Sequence, residues 1–376
     1  MHLFQNLNIQ QIKKIIFIWN EYFLERVYYT RINLKNKLLF GISPVRISFA
    51  GGGTDMPEYY DRFGGSVITT SINHFTYVIV NTRQDNKLQI FSSDFHTHNK
   101  PTTYEKLKPQ PGTELAVSFL KFLKYKKGLN IMISSDVPPK SGLGSSSSLA
   151  VNLVNIISTL KNKNPNKTEI AEMSHHVERN IMKMPMGKQD EYISSYGGFN
   201  YIQFKKNKIT VNPIKIKKKT LLELQQCLLL FFVGGRSNSK ILSNQIKRIK
   251  NNSKETMDSL DTVKQLSEEM YSSLKQSNIT SFGELLNKGW ESKKKFSNGV
   301  SSKKIDKIYD SAIKHGAIGG KLTGAGGGGH LLLYADTTKH KKIIQQMTKS
   351  GLTQIKFKFT NEGAKVSNLY DYSSMK

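Results

Sequence analysis

Apolar and polar positions along the chain predict a mixed arrangement of strands and helices. Leu129-Asn130-Ile131-Met132-Ile133-Ser134-Ser135 alternates with the two-residue period of a strand, and Val45, Ile47 and Phe49 alternate with Arg46, Ser48 and Ala50. The second pattern places Arg46 on the polar face of its strand. Gly65 to Ile72, His74 to Arg83 and Lys87 to Ser92 read as further strands, and Thr113 to Lys126 as a helix. A helical pattern covers Leu149 to Leu160 and another Lys167 to Met182, followed by a loop that carries Asp190 and short strands over Gly198 to Phe204 and Ile209 to Ile216. Beyond the cluster Lys215-Ile216-Lys217-Lys218-Lys219 the pattern changes. An apolar strand over Cys227 to Val233 precedes three or four helices that run to His315, then a buried strand at Leu331 to Tyr334, a helix over Thr337 to Ser350 and a strand over Leu352 to Lys358. The expected class is α+β, with an extension over residues 1–38, one unit over 39–215 and a second over 216–376.

Three runs of small residues interrupt these elements. The first, Pro138-Pro139-Lys140-Ser141-Gly142-Leu143-Gly144-Ser145-Ser146-Ser147-Ser148, joins the strand ending at Ser135 to the helix that continues at Leu149. A helix N-terminus carries N–H groups without intrahelical partners and a partial positive charge, so a glycine loop opening into one makes an anion site from main chain. Pro139, Ser141, Gly142, Leu143, Gly144, Ser145, Ser146 and Ser147 are the candidate phosphate-binding residues. The spacing is not that of a Walker loop, and a flexible Gly/Ser linker is the competing reading. The second run, Gly51-Gly52-Gly53-Thr54-Asp55-Met56-Pro57, ends the Arg46 strand in a turn that carries a carboxylate. The third, Gly319-Gly320-Lys321-Leu322-Thr323-Gly324-Ala325-Gly326-Gly327-Gly328-Gly329-His330, abuts a buried strand.

Together the three runs resemble the signature motifs of the GHMP kinases, over roughly residues 40 to 376. The Gly-Gly-Gly-Thr-Asp form of the first motif is similar to the branch that contains heptose 7-phosphate kinases and the kinase part of fucokinases. Gly187-Lys188-Gln189-Asp190-Glu191-Tyr192 with Gly197-Gly198, and Trp290-Glu291-Ser292-Lys293-Lys294-Lys295, resemble the heptose branch too. The resemblance implies an N-terminal α+β domain, a ferredoxin-like C-terminal domain and an active site between them. It implies an ATP- and Mg²⁺-dependent transfer of phosphate to the anomeric hydroxyl of a heptose 7-phosphate. The alternatives are another sugar 1-kinase or a catalytically silent sugar-phosphate binder.

On that reading Asp190 orients and deprotonates the attacking hydroxyl, and Arg46 stabilises the transferring phosphoryl group. Phosphoryl transfer has a loose transition state in which positioning and charge neutralisation dominate. Ser146 and Glu178 are the expected Mg²⁺ ligands, Glu178 by resemblance alone. Gly52, Gly53, Thr54 and Asp55 would recognise sugar hydroxyls, with Arg236, Lys321 and Gly326 as further substrate residues. The two cations would answer a substrate phosphate, for which arginine has the better bidentate geometry. The His175-His176 pair near Glu178 lacks a third ligand and reads as surface histidines.

Composition narrows the function classes. The net charge of +28 invites a nucleic-acid partner, but only eight of the 56 basic residues are arginine and the lysines are scattered. Base readout and stacking call for arginine and aromatic residues together on one element, so no specific nucleic-acid partner is expected. One cysteine, Cys227, excludes an internal disulfide and reads as a core residue. Residues 1–37 precede the first motif and include Ile12-Lys13-Lys14-Ile15-Ile16-Phe17-Ile18-Trp19. That run is shorter than the roughly 20 apolar residues of a membrane span and lacks a cleavage site. It reads either as an amphipathic helix docking on the enzyme or a partner, or as the product of an upstream start codon, the latter slightly favoured. A cytoplasmic enzyme without a membrane span, acting on a small sugar phosphate, is expected; a homodimer is left open.

Overall fold

The computed structural model describes residues 37–235 and 240–369. The expectations for residues 1–36 and for Arg236 fall outside them. In chain order the first half contains β1 (Leu38–Ala50), α1 (Pro57–Phe63), β2 (Gly65–Thr82), β3 (Leu88–Ser92), β4 (Thr97–His98), α2 (Glu114–Phe122), β5 (Leu129–Ser135), α3 (Ser145–Leu160), α4 (Lys167–His175), a π-helical segment His176–Ile181, α5 (Gln189–Tyr196), β6 (Phe199–Lys205) and β7 (Lys208–Pro213). The second contains α6 (Lys218–Gln226), β8 (Leu228–Gly234), α7 (Ile241–Lys250), α8 (Lys254–Lys275), α9 (Phe282–Lys294), α10 (Lys303–Lys314), β9 (Ala317–Leu322), β10 (Gly329–Ala335), α11 (His340–Lys349), β11 (Thr353–Ile355) and β12 (Lys365–Asn368).

The strands form two sheets. The first runs β12-β1-β2-β5-β3-β4, with β6 on β2 and β7 on β6. The two strands expected either side of Asn73 are one, β2, because β1 pairs along most of its length. On its other side β6 takes residues 65–70 and β5 takes 76–82. Helix α3 is buried around most of its circumference, since α2, α4 and α5 pack on the sides that β1 and β2 leave. Register shifts in β1 follow Pro44 and Ser48, and Ala50, expected on the Arg46 face, instead joins the core of Val45, Ile47 and Phe49.

The second sheet runs β11-β8-β10-β9, antiparallel throughout. With α7 to α10 between β8 and β9, and α11 between β10 and β11, this is the split β-α-β order of ferredoxin-like folds. One hydrophobic core spans both sheets, joining Val45, Ile47 and Phe49 to Leu230 and Leu332 and to Leu266 and Met270 of α8. The last strand, β12, leaves the second half of the chain and pairs with β1 in the first sheet.

Candidate active site

Asp190 is not in a loop. It stands in the first turn of α5, an element hidden from the sequence because its apolar positions are few and Gly187 and Gly197 bracket it. This places its carboxylate against Arg46 of β1 in a bidentate pair. Nε donates to Oδ1 at 2.7 Å and Nη2 to Oδ2 at 2.6 Å. The third guanidinium nitrogen, Nη1, donates to the Gly142 carbonyl at 2.6 Å, and the Arg46 amide donates to the Leu143 carbonyl at 2.9 Å. The arginine therefore ties the glycine loop to the carboxylate.

That loop opens α3 through Gly144 in the left-handed conformation (φ 76°). A β-carbon there would stand 3.0 Å from Asp190 Oδ2. No side chain caps the helix and its first turn carries no acid, so no side-chain negative charge answers the positive end of α3. Gly144, Ser145 and Ser146 are half-buried at this end, while Ser147 is buried. Pro139 is half-buried, Ser141 is buried, and Leu143 belongs to the shared core.

Ser146 Oγ donates to Glu178 Oε1 at 2.7 Å. Glu178 lies in the π-helical segment, whose extra residue per turn rotates the following side chains relative to a continuous α-helix. It is fully buried, and its Oε2 has no hydrogen-bond partner. Burial first, and then the neighbouring Glu191, push its carboxyl well above the usual range. A buried carboxylate with one free oxygen beside a hydroxyl fits a divalent cation. Among the described residues no three His, Cys, Asp or Glu side chains gather as a metal site.

The Asp55 turn docks under α5. Asp55 Oδ1 accepts from the Gly53 amide at 2.9 Å and Oδ2 from the Gln189 amide at 3.1 Å. Burial raises its carboxyl above the usual range against the lowering effect of the Gln189 amide. Thr54 is engaged internally, its hydroxyl donating to the Gly51 carbonyl and accepting from the Ser66 amide. A β-carbon on Gly52 would lie 3.4 Å from Ser48 Oγ and 3.6 Å from Gln189 Nε2, whereas Gly53 packs on Phe296 and Gln245. Ser48 Oγ and Gln189 Oε1 are buried without partners. Neither was singled out as a site residue, although Ser48 shares the alternating face of Arg46 and Gln189 adjoins Asp190.

The third glycine run buttresses the loop from the second sheet. His330 Nδ1 lies 2.8 Å from the Ser141 carbonyl, and a β-carbon on Gly142 would meet the Thr323 carbonyl at 2.7 Å. Gly326 closes on Val300 (φ 93°). Lys321, expected at a substrate phosphate, donates to the Phe49 carbonyl at 2.9 Å and is buried. Burial, and then Arg46, lower it to about 7. Lys293 of α9 donates to the Gly324 carbonyl. His175, expected at the surface, is buried with Nδ1 2.7 Å from Glu191 Oε1, while His176 is exposed. Burial drives His175 down to about 3 and raises Glu191 well above its usual range.

Comparison with known proteins agrees with this layout. Residues 114–198 match the model of the GHMP kinase N-terminal domain and residues 270–352 that of the GHMP kinase C-terminal domain. The chain is 31% identical over 329 residues to a D-glycero-alpha-D-manno-heptose 7-phosphate kinase of Campylobacter jejuni, covering 86% of this chain and 97% of that protein. It is 27% identical over 331 residues to an L-fucokinase/L-fucose-1-P guanylyltransferase of Bacteroides fragilis, covering 80% of this chain and 35% of that protein. A crystal structure of a putative sugar kinase from Campylobacter jejuni superposes with a TM-score of 0.73 at 29% identity, covering 89% of this chain and 99% of that one. A D-glycero-D-manno-heptose 1-phosphate kinase from Bacteroides thetaiotaomicron shares the fold, with a TM-score of 0.74 at 23% identity over 88% of this chain and 99% of that one.

Proposed function

The chain belongs to the GHMP kinase family as an ATP-dependent sugar kinase, and we propose that its acceptor is a heptose 7-phosphate, phosphorylated at the anomeric hydroxyl to the 1,7-bisphosphate. The product would serve the building of nucleotide-activated heptose for surface polysaccharide, in the cytoplasm. The observation that carries the phosphotransfer site is the bidentate Arg46–Asp190 pair at the uncapped end of α3. The substrate assignment rests on the 31% identical Campylobacter jejuni relative.

In this mechanism the α3 N-terminus and the loop from Ser141 to Ser147 bind the ATP phosphates through main-chain N–H groups. Asp190 accepts from the anomeric hydroxyl and aims its oxygen at the γ-phosphorus. A bond forms from that oxygen to phosphorus as the bridging oxygen leaves with ADP, and the hydroxyl proton passes to Asp190. An aspartate is a weak base, so this proton moves late and orientation is its larger contribution. Arg46 offsets charge on the transferring group and fixes the carboxylate. Ser146 and Glu178 would hold Mg²⁺, which neutralises phosphate charge when bound. Asp55, Ser48 and Gln189 offer the fixed polar atoms that sugar hydroxyls need, and Gly52 leaves room for them.

The test is ADP release with Mg²⁺-ATP against free sugars and sugar phosphates, including D-glycero-D-manno-heptose 7-phosphate. Turnover confined to the heptose phosphate supports the assignment, and turnover on free fucose alone moves it to a fucokinase. Asp190→Ala is expected to lower kcat by about 10²–10⁴ with the far-UV circular dichroism unchanged. Near-normal turnover in that variant would remove Asp190 from the mechanism.

A further inference from the structure

Each carbonyl of the glycine loop from Ser141 to Leu143 has its own donor. The Ser141 oxygen lies 2.8 Å from His330 Nδ1, the Gly142 oxygen accepts from Arg46 Nη1 at 2.6 Å, and the Leu143 oxygen accepts from the Arg46 amide at 2.9 Å. The peptide bonds are trans, so the N–H of the following residue points away from each held carbonyl. Gripping these carbonyls therefore sets the directions of the Gly142, Leu143 and Gly144 amides. Among the described residues none of those amides donates a hydrogen bond of its own. Gly142 and Gly144 have left-handed backbones (φ 80° and 76°), the kind of turn in which successive N–H groups form an anion-binding concavity. Two of the three donors belong to Arg46, which the Asp190 pair already uses. The third comes from the second sheet.

We propose that His330 is a positioning residue for the nucleotide: its Nδ1–H holds the Ser141 carbonyl and thereby aims the Gly142 amide at an ATP phosphate. The role rests on the reading of the loop from Ser141 to Ser147 as the ATP phosphate site. A carbonyl only accepts, so Nδ1 carries a proton whether the ring is neutral or charged. The ring is placed from several sides. His330 stands opposite Phe232 in the β8–β10 pairing, with ring centroids 5.2 Å apart. Its own carbonyl accepts from the Thr323 amide at 2.9 Å and from the Thr323 hydroxyl at 3.3 Å. Main chain closes on main chain beside it. A β-carbon on Gly329 would strike the Ser141 carbonyl, and one on Gly142 would meet the Thr323 carbonyl at 2.7 Å. An apolar side chain at position 330 would leave the Ser141 carbonyl unpaired and its peptide free to turn. Asp190 is held by Arg46 and not by His330, so that change falls on the nucleotide and not on the acceptor hydroxyl.

The experiment measures Mg²⁺-ATP affinity by titration calorimetry, which needs no acceptor, and then KM for ATP and kcat, in the full chain and in His330→Leu, His330→Asn and Ser145→Asp. Ser145→Asp tests the loop reading by itself, because a carboxylate in the first turn of α3 suits the helix but repels a phosphate there. It should weaken ATP binding at least about tenfold. His330→Leu should weaken it about three- to tenfold, the worth of one hydrogen bond. His330→Asn, whose Nδ2 can donate to the same carbonyl, should restore it. Loss of folded protein alone would lower the active fraction and so the apparent kcat, leaving KM for ATP where it was. If His330→Leu does not fold, the ring tautomer decides. In nitrogen-15 imidazole spectra at alkaline pH, the signal that His330→Asn removes is expected to show a protonated Nδ1 and a bare Nε2. A proton on Nε2 in its place overturns the positioning role. So does unchanged ATP affinity in His330→Leu beside a weakened Ser145→Asp, or an asparagine variant no better than the leucine one. Unchanged affinity in both His330→Leu and Ser145→Asp overturns the loop reading, and the role of His330 with it.

Discussion

At the residue scale, the site depends on a glycine and a lysine whose surroundings differ from what their sequence neighbours suggest. Gly144 combines a left-handed backbone with a β-carbon position 3.0 Å from Asp190 Oδ2 and 3.4 Å from Arg46 Cγ. Gly144→Ala is expected to cost about 1–2 kcal/mol of stability for its backbone, seen as a lower denaturation midpoint. It should also lower kcat at least tenfold by displacing the pair, read in single-turnover kinetics. Lys321 is held at about 7 by burial and Arg46, whereas an unfolded lysine titrates near 10.4. Below pH 7 the folded protein carries the full cost of a buried ammonium. Between about 7 and about 10.4 the unfolded chain holds a proton that the folded one does not, so stability gains with pH across that window. Lys321→Met should remove the gain, making the rise of unfolding free energy shallower by up to about 1.4 kcal/mol per pH unit. Parallel profiles of variant and wild type would show that Lys321 is not buried as described.

At the element scale, the π-helical segment decides where Glu178 points. Helix α4 begins with a complete capping box, Asn166 with Glu169, and then passes at His176 into the wider turn that brings Glu178 to Ser146. Deleting His176, an exposed residue, would return the segment to α-helical winding and rotate Glu178 by about 100°. The expected result is an activity loss of at least about 10²-fold, the scale of losing a charge-stabilising group, with far-UV circular dichroism retained. Retained activity would mean the wider turn is incidental. This segment also marks the limit of what sequence pattern discloses. β5 was legible to the residue because its alternation is clean and both ends are marked, and the loop–helix junction at Gly144 because glycine and serine have few other uses there. Patterning does not encode an extra residue in a helical turn, so Lys167 to Met182 reads as one helix. It also missed α5, whose eight residues bury Glu191 and two serines, since polar residues at core positions look like a loop until His175 and the sheet are in place. Ser48 and Gln189 went unmarked because only the converging turns show that their side chains are left without partners.

At the scale of the whole molecule, the sequence boundary near residue 216 divides a chain whose energetics are shared. β1 carries Arg46 for the site and supplies Val45, Ile47 and Phe49 to a core completed by Leu230, Leu332 and α8. At its other end it is hydrogen-bonded to β12 from the chain's last described residues. Polar ties follow the same route. Ser66 meets Ser267 at 2.6 Å, Lys321 holds the Phe49 carbonyl and His330 the Ser141 carbonyl. Unfolding the second sheet alone would expose half of that core and strand a lysine and several main-chain groups, each costing about 1–3 kcal/mol when left buried and unpaired. The two sheets should therefore melt together. Calorimetry is expected to give one transition whose van't Hoff and calorimetric enthalpies agree, and residues 216–376 expressed alone should lack cooperative unfolding. Two resolved transitions would mean that the phosphate loop and its third-motif buttress can separate, and that the site assembles from independently stable halves.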